Sequence, residues 1–166
     1  MGLRKNSLDL RPTYFFCYTA SEVLFPFLNL HFVRLGLTGL QMGTLAALAV
    51  LVGAGGSIGW SFLLDRFRKP RALLGTAVGG GMICAFLVSR AQDFPSLLAW
   101  SGLWSLMGSP ILPILDSLAV RASPEQGGYG HIRVWGTAGW AVATLTMGYL
   151  LDRVEILWIF YGYMAG

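Results

Sequence analysis

Long apolar runs separated by short polar clusters dominate this chain. Five runs cover residues 12–32, 40–64, 72–88, 96–120 and 134–151, and a sixth opens at 156 and continues to 166. The hydrocarbon core of a bilayer is about 30 Å thick and takes about 20 apolar residues as a helix. A soluble core would show polar faces recurring along each helix, whereas here whole windows lack charge. The pattern predicts an all-α membrane protein with five complete transmembrane helices and the start of a sixth. The connections at 34–39, 65–71 and 90–95 are short, which makes successive helices antiparallel neighbours. The connection at 121–130 is longer, and its Pro124, Gly127, Gly128 and Gly130 predict a flexible link.

Composition strengthens this picture. Hydrophobic residues make up 55% of the chain and charged residues 12%, about half the charged share of a soluble domain. The formal net charge is +4, and its placement carries more information than its size. Nine of the twelve basic residues lie before the first run or in the second and fourth connections, while the first, third and fifth hold one each. Cytoplasmic loops carry the excess of Lys and Arg, so the N-terminus and the even connections are expected in the cytoplasm, in the inner membrane of a cell. Basic residues that alternate between two sides of a membrane make no nucleic-acid patch. Cys17 and Cys84 both fall within runs, and neither they nor His31 and His131 have metal-ligand spacing. The first run follows a basic segment but is longer than a signal-peptide h-region, so it reads as a retained helix.

Small residues and prolines shape the runs. Gly55-x-x-x-Gly59 and Gly75-x-x-x-Gly79 have the spacing that lets membrane helices approach closely. Pro110 and Pro113 each remove a backbone donor from the fourth run, and the carbonyls they free need other partners at that depth. Broken helices line cavities in transporters, although a plain structural bend gives the same sequence.

Few ionisable groups lie within the runs, and each is costly in lipid unless paired, hydrated or neutralised. Glu22 sits near the middle of the first run. It is either a proton or substrate site facing a central cavity, or a protonated acid bonded to a neighbouring helix. Asp116 and Arg133 fall at similar depth, a few residues from the same side, so they can face each other across a short gap. They form either a substrate-gated ion pair or a static bridge between the fourth and fifth spans. Glu22, Pro26 and Asn29 share one helical face that could line a cavity. His31 lies off that face and is expected at the interface, and His131 is expected in the solvated link. Trp140 follows Arg133 by two turns and falls near the same face, where its ring could stack a sugar or an aromatic ring. No nucleophilic triad, hydrolase carboxylate pair or phosphate-cradling loop stands out, which argues against an enzyme and implies no cofactor.

Two motifs resemble a known family. Ser61-Phe62-Leu63-Leu64-Asp65-Arg66-Phe67-Arg68-Lys69-Pro70-Arg71 resembles the loop between the second and third spans of the major facilitator superfamily, with Ser61 and Arg68 where glycines are common. In that family the loop helps gate the cytoplasmic side, which implies this role for Asp65, Arg66, Arg68, Lys69 and Arg71. Tyr129-Gly130-His131-Ile132-Arg133-Val134-Trp135-Gly136-Thr137-Ala138-Gly139-Trp140 resembles the start of the fifth span in the lactose permease-like branch, which includes oligosaccharide, nucleoside and phenylpropionate proton symporters. The Phe25-Pro26-Phe27 stretch is also similar. In that branch an Arg at the place of Arg133 and a Trp at the place of Trp140 contact the sugar, and an acid matched in placement by Asp116 pairs with the Arg.

The resemblance implies twelve spans in two halves, so residues 1–166 are expected to be an N-terminal six-helix bundle cut within its last helix, working with a missing C-terminal half. The expected function is proton-coupled symport of a small polar solute such as a sugar, nucleoside or aromatic acid by alternating access. Asp116, Arg133, Trp140, Glu22 and Asn29 would bind substrate. The alternatives are a drug-efflux antiporter and a non-transporting membrane scaffold.

Overall fold

The computed structural model describes residues 10–67, 69–122, 128–153 and 155–165, with the side chains of Glu22, Ala122 and Ala165 outside the described set. Helices account for nearly all of it, and no strand occurs among the described residues. They are α1 (Leu10–Arg34), α2 (Gly39–Phe67), α3 (Pro70–Arg90), α4 (Phe94–Gly108), α5 (Ile111–Ala122), α6 (Gly128–Leu151) and α7 (Trp158–Ala165).

Each helix end has a local cause. Helix α1 closes on Gly36, whose φ of 80° is left-handed. There the Leu37 N–H donates to the Phe32 carbonyl at 3.1 Å, satisfying an end group of the helix. Thr38 and Gln41 then form a reciprocal cap: Thr38 N–H donates to Gln41 Oε1 at 2.9 Å and Gln41 N–H to Thr38 Oγ1 at 3.3 Å. Pro70 opens α3, where a missing N–H costs nothing. Asp93 caps α4 by accepting from Ser96 N–H at 2.9 Å, and this bond holds its carboxyl below the usual carboxylate range.

The expected connections are shorter than the polar clusters implied. Asp65 and Arg66 complete the last turn of α2, and Arg71 lies in the first turn of α3. His131 is likewise an exposed residue of the first turns of α6 and not part of a link. The fourth run is two helices, α4 and α5, separated at Ser109 and Pro110.

Among the described residues, three segments combine the length and hydropathy to cross a membrane: Gly39–Phe67, Pro70–Arg90 and Phe94–Arg121. Helices α1 and α6, of 25 and 24 residues, are also long enough, with more polar residues along them. Many large apolar side chains face outward, among them Leu40, Val50, Ile58 and Leu145. That arrangement suits a hydrocarbon solvent and would be unfavourable in water.

Among the described residues the interior forms two clusters. The larger joins α1, α3, α4 and α7 through residues including Leu24, Val88, Leu97, Trp104, Ile159 and Phe160. His31 belongs to this end and is only 4% exposed, with its ring against Phe160 at 5.1 Å. Helix α7 therefore covers this histidine. The smaller cluster joins α1, α5 and α6 through Leu10, Tyr14, Leu115, Ala119 and Ile132.

Glycines set the closest crossings, though not the ones their spacing pointed to. A Cβ at Gly139 would collide with the Phe15 carbonyl and the Thr19 hydroxyl of α1, and one at Gly136 would lie 2.8 Å from the Tyr18 ring. Gly55, Gly59, Gly75 and Gly79 have nothing within 4 Å of such a Cβ. The small-xxx-small pairs thus sit on uncovered faces of α2 and α3.

Candidate functional site

The smaller core cluster carries the polar chemistry. Arg133 on α6 and Asp116 on α5 approach to 3.8 Å (Nη1 to Oδ2), with their side chains 54% and 35% exposed. The similar depth expected from sequence thus places them face to face. The strong hydrogen bonds of both groups go elsewhere. Tyr14 on α1 is fully buried and its hydroxyl donates to Asp116 Oδ1 at 2.6 Å. Arg133 Nη1 donates to the Tyr129 hydroxyl at 2.6 Å, and its guanidinium lies 5.8 Å from that ring's centroid. A half-exposed pair without a direct hydrogen bond contributes little to stability, about 0–1 kcal/mol. The arrangement is therefore a carboxyl group and a guanidinium cation held slightly apart, each steadied by a tyrosine. The sequence did not single out Tyr14, and Tyr129 appears there only as the first residue of the second motif, with no role assigned.

Beside this network lies a cavity of about 500 Å³ between α1, α2, α4, α5 and α7. From α1 it takes Cys17, Tyr18, Ser21 and Phe25, which recur at helical spacing on one face. From α2 come Gly53, Ala54 and Ser57, and from the α4–α5 break Trp104, Ser105, Ser109 and Pro113. Tyr163 of α7 closes one side. Tyr18 links the cavity to the ion pair, because its ring stacks on Tyr14 with centroids 6.1 Å apart and planes at 15°.

The break that opens this cavity follows from proline chemistry. Pro110 has no N–H to give the Leu106 carbonyl four residues back. That carbonyl accepts instead from Trp60 Nε1 at 2.9 Å and from Ser109 Oγ at 2.9 Å. Pro113 falls at the third position of α5, where a helix has no internal acceptor for the N–H in any case. The chain therefore turns at Pro110 and not at Pro113.

The other expected residues are placed as follows. Trp140 is 47% exposed, and Arg133, Thr137 and Trp140 share one exposed stripe of α6. Asn29 and Pro26 lie on the exposed side of α1 near Phe25. Glu22 follows Ser21 in α1, and its side chain lies outside the described residues. Asp65, Arg66, Lys69 and Arg71 are exposed at the α2–α3 turn, and Arg68 lies outside the described residues. Cys17 and Cys84 are free thiols.

A bundle of long apolar helices, a cavity at a broken helix and an Asp116–Arg133 pair at the α5–α6 junction fit a multi-pass membrane protein of transporter type. Residues 7–165 match the model of the MFS_1 like family, and the chain belongs to that family. The resemblance to the major facilitator superfamily carried by the two motifs is thereby established. The chain is 34% identical to the maltose permease of Geobacillus stearothermophilus over 152 residues, 90% of this chain and 39% of that protein. It is 25% identical to the uncharacterized transporter YwbF of Bacillus subtilis (strain 168) over 165 residues, 96% of this chain and 41% of that one. It is also 26% identical to the multidrug resistance protein MdtG of Salmonella choleraesuis (strain SC-B67), with 92% and 40% covered. The chain thus spans about two fifths of the length of these curated relatives.

Proposed function

We propose that this chain forms the first half of a twelve-span secondary carrier, with five complete spans and the opening part of a sixth, that moves a small polar organic solute together with a proton. The N-terminus and the α2–α3 turn face the cytoplasm in this reading, in line with the excess of basic residues there. The observation that carries it is the Asp116–Arg133 pair, held open by Tyr14 and Tyr129 and joined to the cavity through Tyr18. A solute with adjacent donor and acceptor groups can bridge a carboxylate and a guanidinium whose nearest atoms are 3.8 Å apart.

Alternating access rocks this bundle against a second half, and the exposed stripe of Arg133, Thr137 and Trp140 faces the vestibule they share. Glu22 is the proton carrier of this scheme, Asn29 lines the wider mouth, and the charged α2–α3 turn acts at the cytoplasmic gate. The maltose permease relative supports an uncharged, hydroxyl-rich solute. A second reading, drug efflux, is favoured by the largely apolar cavity lining and by the MdtG relatives.

Arg133→Ala, made in the full gene product that carries this chain, tests the proposal. Uptake of labelled maltose into proteoliposomes is expected to be lost while membrane insertion stays normal. Undiminished uptake removes Arg133 from the site, and export of lipophilic dyes without sugar uptake selects the second reading.

A further inference from the structure

The cavity wall carries an aromatic arrangement that the charged pair does not use. Phe25 and Trp104 meet with ring centroids 5.1 Å apart and planes tilted by 33°. Trp104 in turn meets Tyr163 edge to face at 5.8 Å, and its Nε1–H donates to the Tyr163 hydroxyl at 3.2 Å. The exposures differ sharply: Phe25 is 57% exposed and Trp104 only 7%. Both rings line the cavity: Phe25 offers the larger accessible surface, and Trp104, pinned by Tyr163, packs against it.

The polar groups around this ring are one-sided. Ser21 donates its hydroxyl proton to the Cys17 carbonyl at 2.9 Å, Ser57 to Ala54 at 2.7 Å, Ser105 to Ala49 at 2.6 Å and Ser109 to Leu106 at 2.9 Å. A hydroxyl has one donor and two acceptor sites, so these serines turn only lone pairs to the cavity. Tyr163 accepts from Trp104 and keeps its own proton for an incoming acceptor. The described lining holds no charged residue.

We infer that Phe25 is the stacking platform for a neutral sugar ring, with Trp104 as its positioning residue. A pyranose has an apolar C–H face that lies on an aromatic ring, and a rim of hydroxyl donors that four acceptor serines can take. A volume of about 500 Å³ suits such a ligand. The platform is separate from Trp140, which stands on the exposed stripe of α6 and is not among the residues lining this cavity. The inference rests on the carrier reading for its setting and adds the residue that seats and selects the solute.

The test is binding to the full gene product in lipid nanodiscs, read by intrinsic tryptophan fluorescence with maltose, methyl α-glucoside or tetraphenylphosphonium as probe. The sugars are expected to change the emission saturably. Phe25→Ala weakens sugar affinity about two- to tenfold, Phe25→Tyr restores it, and Trp158→Phe leaves it unchanged. The thermal midpoint of each variant is measured alongside, so that a misfolded protein is recognised and replaced by the Phe25→Leu variant, which keeps bulk and loses the ring. Sugar affinity indifferent to the loss of this ring overturns the inference, as does a response to tetraphenylphosphonium alone. Because binding is read without transport, sugar binding that depends on Phe25 in a protein with no uptake defeats only the carrier reading. Sugar uptake that ignores Phe25 defeats only this one.

Discussion

Tyr14 is the residue on which the polar network turns. Its hydroxyl gives Asp116 a 2.6 Å bond from a fully buried position, and it leaves Arg133 at 3.8 Å. Hydrogen bonds to charged groups contribute about 1.5–3 kcal/mol. Tyr14→Phe is therefore expected to lower the stability of the purified protein by about that amount, measured by thermal denaturation in detergent, and to raise KM for uptake while insertion is unchanged. The meeting of Asp116 and Arg133 was legible from sequence, because charges in apolar runs are scarce and depth alone restricts their partners. The tyrosines were not legible, since their role depends on which of several rings the folded helices bring to one carboxylate. Glycine spacing misled in a similar way. A Gly55/Gly59 pair permits a close approach, but only the presence of a neighbouring helix decides whether one occurs.

Among the elements, the α4–α5 break has the widest effect. Leu106 loses its helical donor to Pro110 and regains two others from Trp60 and Ser109. Trp60→Phe removes one donor and is expected to cost about 0.5–1.5 kcal/mol in thermal or denaturant unfolding. Adding Ser109→Ala costs more than the sum of the single changes, because the carbonyl is then left bare. The apolar run from 96 to 120 read as one span, and two prolines three residues apart left the turning point undecided. The answer lies in helix-end chemistry: Pro113 occupies a position where no donor is missed. The caps at Thr38 and Asp93 fit standard end chemistry, whereas the burial of His31 does not follow from its own helix. It depends on Phe160, more than a hundred residues away.

At the scale of the molecule, two crossings of opposite character can be compared by the same substitution. Gly139→Ala pushes a methyl into the Phe15 carbonyl of α1 and is expected to destabilise by about 1–3 kcal/mol. Gly55→Ala meets open space and is expected to stabilise by about 0.4–1 kcal/mol through the unfolded chain. Thermal midpoints of the two variants in one detergent decide the matter, and equal shifts would show that α1 and α6 do not touch as described. The class of the fold was legible because lipid demands long apolar helices. The aromatic wall of the cavity was hidden because Phe25, Trp104 and Tyr163 come from helices far apart in the chain.

The contact of Gly139 with the Phe15 backbone has a mechanical result. Backbone against side-chain hydroxyl and carbonyl leaves no slack, so α1 and α6 pack as one unit that holds Tyr14 and Arg133 on the same side of Asp116. Asp116 belongs to α5, which is jointed to α4 at Pro110 and held to α1 and α6 by the Tyr14–Asp116 hydrogen bond and by side-chain contact. On the carrier proposal, a stroke that widens the gap between carboxylate and guanidinium swings α5 about that joint and has to break the Tyr14–Asp116 bond first.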